Sequence, residues 1–260
     1  MSESNNVLPS MRVDGQVALV TGAGRGIGRG CAIALAEAGA EVIVMSRTAA
    51  EIDAVVAEIE AKGGKATAIA CDVADQAAMT AAFATIKRLD ILVNNAGTNV
   101  PVGFLKADVE TLDLMLNLNI RAAFLVAQAA ARIMADRDQA SGGGGVIIHL
   151  SSTFGKVGRP GMSIYSGTKH FIEGLTKSTA VELAPRNIRV VAVGPTAIAT
   201  PMLEERLSDP AVVEELTSRI PLGRVGRIED VVGAVVFLAS PAAAMITGTT
   251  IMVDGGWTAP

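Results

Sequence analysis

The chain has 260 residues, 50% of them hydrophobic and only 3% aromatic, with a net charge of −4 at neutral pH. That is enough aliphatic material for the core of one large α/β domain, and the lack of a basic tract argues against nucleic-acid binding. Cys31 and Cys71 have no metal-ligand spacing and are too few for a disulfide framework, so no metal site is expected and a reduced, cytoplasmic setting fits best.

Residues 1–13 read as a flexible polar arm without the basic start and apolar run of a secretory leader. No stretch is expected to be long and apolar enough to cross a bilayer. Residues 16–21 then form a buried strand, a glycine cluster follows, and 26–38 make a helix stopped at Gly39. Strands are expected at 41–45, 65–71, 89–93, 146–150, 188–193 and 250–253. Helices are expected at 49–62, 75–88, 111–138, 162–183 and 228–239, with the glycine run 142–145 as a flexible connection. Near-continuous apolar strands alternating with helices predict a single-domain, doubly wound α/β fold over 14–260: a parallel sheet of about seven strands with helices on both faces. The segment 196–220 breaks the alternation with Pro201 and Pro210, and reads as a helical excursion that is either a substrate lid or plain surface.

The cluster Gly22-Ala23-Gly24-Arg25-Gly26-Ile27-Gly28 does not fit G-x-G-x-x-G, but it occupies the first strand-to-helix turn. Glycines there let the backbone approach a pyrophosphate, and the helix N-terminus offers free N–H groups. After the second strand an acid would bind the 2′-hydroxyl of NAD. The chain has Ser46-Arg47-Thr48 instead, so Arg47, with Arg25, favours the 2′-phosphate of NADP(H) over NAD(H). Asp72 is placed to hold the adenine amino group and Val73 to pack on the ring. Tyr165, the chain's one tyrosine, stands four residues before Lys169 and shares a helix face with it. An ammonium about 4 Å away offsets a phenol pKa near ~10 by about three units before desolvation is subtracted, so the pair by itself reads either as a proton-transfer group poised near neutrality or as a buried tyrosine beside a solvated lysine.

These residues resemble the short-chain dehydrogenases/reductases. The resemblance rests on Thr21-Gly22-x-x-x-Gly26-x-Gly28, Asn94-Asn95-Ala96-Gly97, Asn119, Ser152 thirteen residues before Tyr165, the Tyr165/Lys169 pair and the closing Val253-Asp254-Gly255-Gly256. It covers about 12–257 and implies a Rossmann-like fold and hydride exchange between a nicotinamide and a carbonyl/alcohol pair. Tyr165 would then carry the proton, Ser152 would hydrogen-bond the substrate oxygen, Lys169 would tune the phenol and hold the ribose, and Asn119 would hold a water in a relay. Asn94, Ala96 and Gly97 would border the adenosine ribose, and Pro195, Ile198 and Thr200 would contact the cofactor near its nicotinamide end. Thr200 is equally a candidate for the start of the lid helix.

One departure is Gly194-Pro195-Thr196, where the family often has Asn-Pro-Gly. The substrate pocket would draw on Thr153, Phe154, Val157, Met162 and the lid, and the substrate is a sugar acid, a polyol or a 3-oxoacyl compound. His149 reads as a buried strand residue or a substrate contact, and His170 as packed on its helix. A silent dinucleotide-binding scaffold and a non-redox relative such as a dehydratase are the competing functions. Apolar surplus on the helices at 111–138 and 162–183 predicts a homo-oligomer, a tetramer.

Overall fold

The computed structural model describes residues 7–137 and 143–259. Seven parallel strands make one sheet in the order β3-β2-β1-β4-β5-β6-β7. They are β1 (Val17–Thr21), β2 (Glu41–Ser46), β3 (Lys65–Ala70), β4 (Ile91–Asn94), β5 (Gly145–Leu150), β6 (Ile188–Pro195) and β7 (Thr250–Val253). The helices are α1 (Gly26–Glu37), α2 (Ala49–Ala61), α3 (Gln76–Ala84), α4 (Val109–Leu116), α5 (Ala123–Ala135), α6 (Ser163–Leu183), α7 (Pro201–Leu207), α8 (Pro210–Thr217) and α9 (Ile228–Ala239).

Alternation along each strand sends side chains to two cores. Ala18, Val20, Val146 and Ile148 pack with Leu35 of α1 and Val231, Val235 and Leu238 of α9. Leu19, Leu92 and Ile147 pack on the other face with Phe83 of α3 and Val126, Ala130 and Met134 of α5. Both faces are therefore covered, which is why the central stretches of β1, β2, β4, β5 and β6 are runs of aliphatic residues. The alanines of α5 let that helix lie close to the sheet without aromatic filler.

Several boundaries differ from those the sequence predicts, each for a local reason. α3 stops at Ala84 rather than at 88, because Thr85 turns its hydroxyl back to the Ala82 carbonyl and Ile86 and Leu89 drop into the core. β6 runs two residues past 193, because Gly194 and Pro195 still pair with Met252 and Val253 of β7. The helix expected over 111–138 begins at Val109, where the Asp108 side chain caps Thr111 N at 2.8 Å, and its last expected residue lies outside the described residues. It is broken by a π-helical turn at Asn117–Ala122. Residues 143 and 144 are buried rather than loose, and Asn187 Nδ2 donates to the Gly143 carbonyl at 3.0 Å.

The run Val109–Ala135 is long and apolar enough to cross a membrane, which corrects the expectation that no stretch is. In this fold its inner stripe, from Ala122 to Met134, is packed against the sheet.

Candidate active site

Connections leave β1 and β4 toward opposite edges of the sheet, so a crevice opens between their C-terminal ends. A cleft of ≈ 390 Å³ occupies it, running from the glycine turn to Tyr165. Of the residues expected to hold a cofactor, Gly22, Gly24, Arg25, Gly26, Ile27, Gly28, Arg47, Asp72, Val73, Ala96, Gly97, Tyr165, Lys169, Pro195 and Thr200 line it, as does Ser152.

The glycine turn is shaped by what it must pack against. Gly22 has φ +64°, and a Cβ there would lie 2.9 Å from Asn95 Nδ2. A Cβ on Gly28 would lie 2.3 Å from the Gly22 carbonyl oxygen, so neither position accepts a side chain. Asn95 clamps the turn to the end of β4: its amide donates to the Thr21 and Gly22 carbonyls at 2.9 and 3.2 Å. Thr21 Oγ1 in turn accepts from Asn95 N and Ala96 N, both at 3.1 Å. Asn95 was not among the expected site residues, yet it makes the cradle rigid.

At the end of β2, Arg47 extends into solvent with a loose 3.9 Å approach to Asp72, whose other oxygen accepts from Ala74 N at 2.9 Å. Ser46, Thr48 and Glu51 share this wall. A Cβ on Gly24 would lie 2.6 Å from Glu51 Oε2 and 3.1 Å from Ser46 Oγ, so the two side chains face the turn directly. Ser46 Oγ, Asn99 Oδ1 and Thr196 Oγ1 are buried, line the cleft and have no hydrogen-bond partner among the described residues. Buried polar atoms are rarely left so. A glycine cradle, a helix N-terminus and unpartnered hydroxyls at both ends fit a dinucleotide.

At the far end the C-terminus of β5 meets α6. Lys169 Nζ lies 5.5 Å from the centre of the Tyr165 ring and donates to the Leu150 carbonyl at 2.7 Å. Both side chains keep a strip of accessible surface at the cleft floor, but desolvation dominates them. Burial pushes the Tyr165 phenol up to about 12, which its hydrogen bond with Ser152 only partly opposes. Burial lowers Lys169 to about 8, against the pull of Glu173. The expectation of a phenol poised near neutrality is thus corrected for the chain by itself: the ammonium is held under the ring by Leu150, and burial outweighs it.

Three expected site residues do not reach the cleft. Asn94 is buried and donates its amide to the Ala123 carbonyl at 2.7 Å, beside His149 Nδ1 at 3.3 Å, so its side chain braces α5. Ile198 belongs to the core and pairs by backbone with Gly226. Asn119 sits in the π-helical turn, where Oδ1 accepts from Thr98 N at 2.9 Å and Nδ2 donates to Thr98 O at 2.8 Å and to Thr168 Oγ1 at 3.3 Å. Its side chain ties the loop after β4 to α6 beside Lys169. A π turn takes a backbone group out of the regular ladder, a common device near sites.

Thr196, Thr200 and Pro201, at the start of the 196–220 excursion, border the opposite side of the cleft. Thr200 both lines the cleft and starts α7, its carbonyl accepting from Leu203 N and Glu204 N. Arg159 reaches Glu215 of α8 at 2.5 Å. Thr153 and Met162 are buried, and Phe154 lies edge-on to Tyr165 with centroids 6.1 Å apart. Phe154 in turn meets Trp257 at 6.0 Å. Asp254 aims that tryptophan by accepting from Gly256 N, Thr258 N and Thr258 Oγ1 at 3.0, 2.8 and 2.6 Å. An aromatic contact of this kind is worth about 0.5–1.5 kcal/mol, so Trp257→Ala is expected to raise the carbonyl substrate's KM by roughly 3- to 10-fold. The cofactor's KM should stay within about two-fold, which steady-state kinetics on both reactants would establish.

His149 is 1% exposed and is pushed down to about 4, first by burial and then by the charge of Lys169. A histidine held neutral in the fold contributes stability above its ordinary pKa near ~6.5, which is lost as pH falls toward 4. The predicted loss across that window is about 3 kcal/mol at ~1.4 kcal/mol per unit. Denaturant melts of wild type and His149→Gln between pH 4 and 7 should differ in slope, the variant losing the acid-sensitive step.

The profile described as enoyl-(acyl carrier protein) reductase matches residues 22–258. L-xylulose reductase of Bos taurus is 42% identical over 249 residues, covering 96% of this chain and 99% of that protein. A short-chain type dehydrogenase/reductase from Mycobacterium marinum superposes with a TM-score of 0.90 at 38% identity, over 96% of this chain and 98% of its own. A gluconate 5-dehydrogenase from Burkholderia cenocepacia, solved with NADP and tartrate, gives 0.91 at 34% identity, over 98% and 100%. Matched along almost its whole length by sequence and by fold, the chain belongs to the short-chain dehydrogenase/reductase family and is an NAD(P)-dependent oxidoreductase.

Proposed function

We propose that the protein is an NADP(H)-linked reductase of a small hydroxylated ketone and, in reverse, the dehydrogenase of the matching alcohol. The observation that carries the reading is one cleft with Ser152, Tyr165 and Lys169 at one end and Arg25, Ser46 and Arg47 at the other. The nicotinamide, when bound, supplies or accepts the hydride. Tyr165, neutral at physiological pH, holds the proton that a reduced carbonyl oxygen requires. Ser152 hydrogen-bonds that oxygen as charge builds on it. Lys169 adds a positive charge below the phenol and a donor for the ribose. Asn119 keeps the Thr98 loop and α6 in register behind them.

A hydroxylated substrate is supported by Asn99 Oδ1, an unpartnered acceptor in the cleft wall, and by the names of the L-xylulose reductase and gluconate 5-dehydrogenase relatives. A relative named 3-oxoacyl-[acyl-carrier-protein] reductase, from Synechocystis and 43% identical over 249 residues, favours a second reading, a 3-oxoacyl thioester. Ketoses, keto-sugar acids and 3-oxoacyl thioesters assayed by NADPH absorbance separate the two. Fastest turnover on a ketose or keto acid supports the first, fastest turnover on the thioester supports the second, and no turnover on any contradicts both.

We also propose a homotetramer. Phe104, Leu105, Val109, Leu114 and Phe124 are exposed apolar side chains along α4, α5 and the turn before them, and subunits packed there would take them out of water. Light scattering that gave a monomer would overturn this.

A further inference from the structure

Glu173 is a carboxylate for which the proton path has no use, yet it is 6% exposed in the middle of α6, one turn beyond Lys169. Burying a carboxylate is costly unless every oxygen is met, and here three other elements meet it. Ser151, the residue between the end of β5 and Ser152, donates its hydroxyl to Oε1 at 2.5 Å. Thr250, which opens β7, donates to Oε2 at 2.6 Å. Lys156, just past the short 3₁₀ turn that follows Ser152, pairs with Oε2 as well. The fit is close: a Cβ on Gly155 would lie 2.7 Å from Ser151 Oγ and 3.0 Å from Glu173 Oε1. Burial acts to raise the carboxyl's pKa, but these three partners hold it below its ordinary value, so it stays charged.

We propose that Glu173 is a positioning residue for the proton-transfer site: it locks the Ser151–Ser152 end of β5 to the helix bearing Tyr165 and Lys169, and its negative charge supports the Lys169 ammonium. The inference rests on the roles proposed above for Ser152, Tyr165 and Lys169. Glu173, on the same helix, acts on Lys169 directly. Among the described residues the other ionisable groups nearby are Tyr165 on that helix, His149, buried neutral on β5, and Lys156, which pairs with Glu173 from just past the 3₁₀ turn. The π-helical turn approaches α6 through the uncharged Asn119, bonded to Thr168, and the end of β6 with the residue after it presents Pro195 and Thr196 to the cleft. Removing the carboxylate charge lowers the affinity of Lys169 for its proton, and removing Lys156 raises it.

The test is the pH profile of kcat for carbonyl reduction in wild type, Glu173→Gln, Lys156→Met and Tyr165→Phe. Glu173→Gln should lower kcat by about ten-fold, leave the cofactor's KM within roughly three-fold, and move the alkaline limb down by about one pH unit. Lys156→Met should move that limb upward with kcat within about three-fold of wild type. A lower melting temperature in Glu173→Gln with an unmoved limb, or both variants moving the limb the same way, overturns the inference. If Glu173→Gln does not fold, Lys156→Met decides alone, and a limb that stays or moves down overturns it. Tyr165→Phe separates the two levels: turnover retained there sinks the underlying assignment, whereas turnover lost there with an unmoved Glu173→Gln limb sinks only the role of Glu173.

Discussion

Tyr165→Phe is expected to cut turnover by about 10²- to 10⁴-fold while leaving cofactor affinity within about two-fold. Phenylalanine keeps the ring and its edge contact with Phe154, and so preserves the packing at the C-terminal end of β5. What it removes is the only phenol in the chain. A carbonyl oxygen that receives a hydride must take a proton at nearly the same time, and Ser152 cannot give one away without becoming an alkoxide. Lys169 is a poor substitute, because its ammonium points to the Leu150 carbonyl at 2.7 Å. The loss should appear in kcat with an unchanged NADPH titration. Residual activity within ten-fold of wild type would mean that the proton comes from another group.

The second large effect concerns cofactor choice. Arg47→Ala is expected to raise the KM for NADPH by about ten-fold, and Arg25→Ala/Arg47→Ala together by about a hundred-fold, at roughly 1.5 kcal/mol for each charge-assisted contact. The KM for NADH should hardly change, since the 2′-phosphate is the only group the two cofactors do not share. The single-site effect is placed at the low end because Arg47 is 70% exposed and its charge is screened. Glu51 complicates the subsite, because its carboxylate shares the wall with Ser46 and Arg47 and would repel a phosphate. Glu51→Gln is accordingly expected to lower the KM for NADPH a few-fold. A wild-type preference for NADH, untouched by the arginine changes, would overturn the NADP(H) assignment.

The parts legible in the sequence are those fixed by chain-local geometry. Tyr165 and Lys169 share a helix face because four residues make about one turn, and the glycine turn announces itself by its place after the first strand. The doubly wound sheet follows from apolar strands alternating with helices. Side-chain direction was harder to read. Asn94 and Asn95 look equivalent as letters, but β4 is four residues long, and its pleat turns Asn94 inward to α5 while Asn95 clamps the glycine turn. Ile198 sits beside cleft residues in sequence yet faces the core.

Groups brought together by the sheet from distant parts of the chain left no local signal. Glu173 gathers Ser151, Lys156 and Thr250, the last of them 77 residues away. Trp257 reaches Tyr165 only through Phe154. The phenol's electrostatics also escaped, because spacing gives the distance to an ammonium but not the depth at which both are buried. Desolvation by the folded chain proved the larger effect at Tyr165.

The proposed function requires hydride to pass between a nicotinamide and a carbonyl carbon at the Tyr165 end of the cleft. NADPH carrying deuterium at the transferable position of nicotinamide C4, incubated with the enzyme and the carbonyl that gives the fastest turnover, tests it most directly. Deuterium is expected on the new carbinol carbon, one label for each NADPH consumed, and that labelling should be lost in Tyr165→Phe. Product formed without label, or label transferred equally well by Tyr165→Phe, would contradict it.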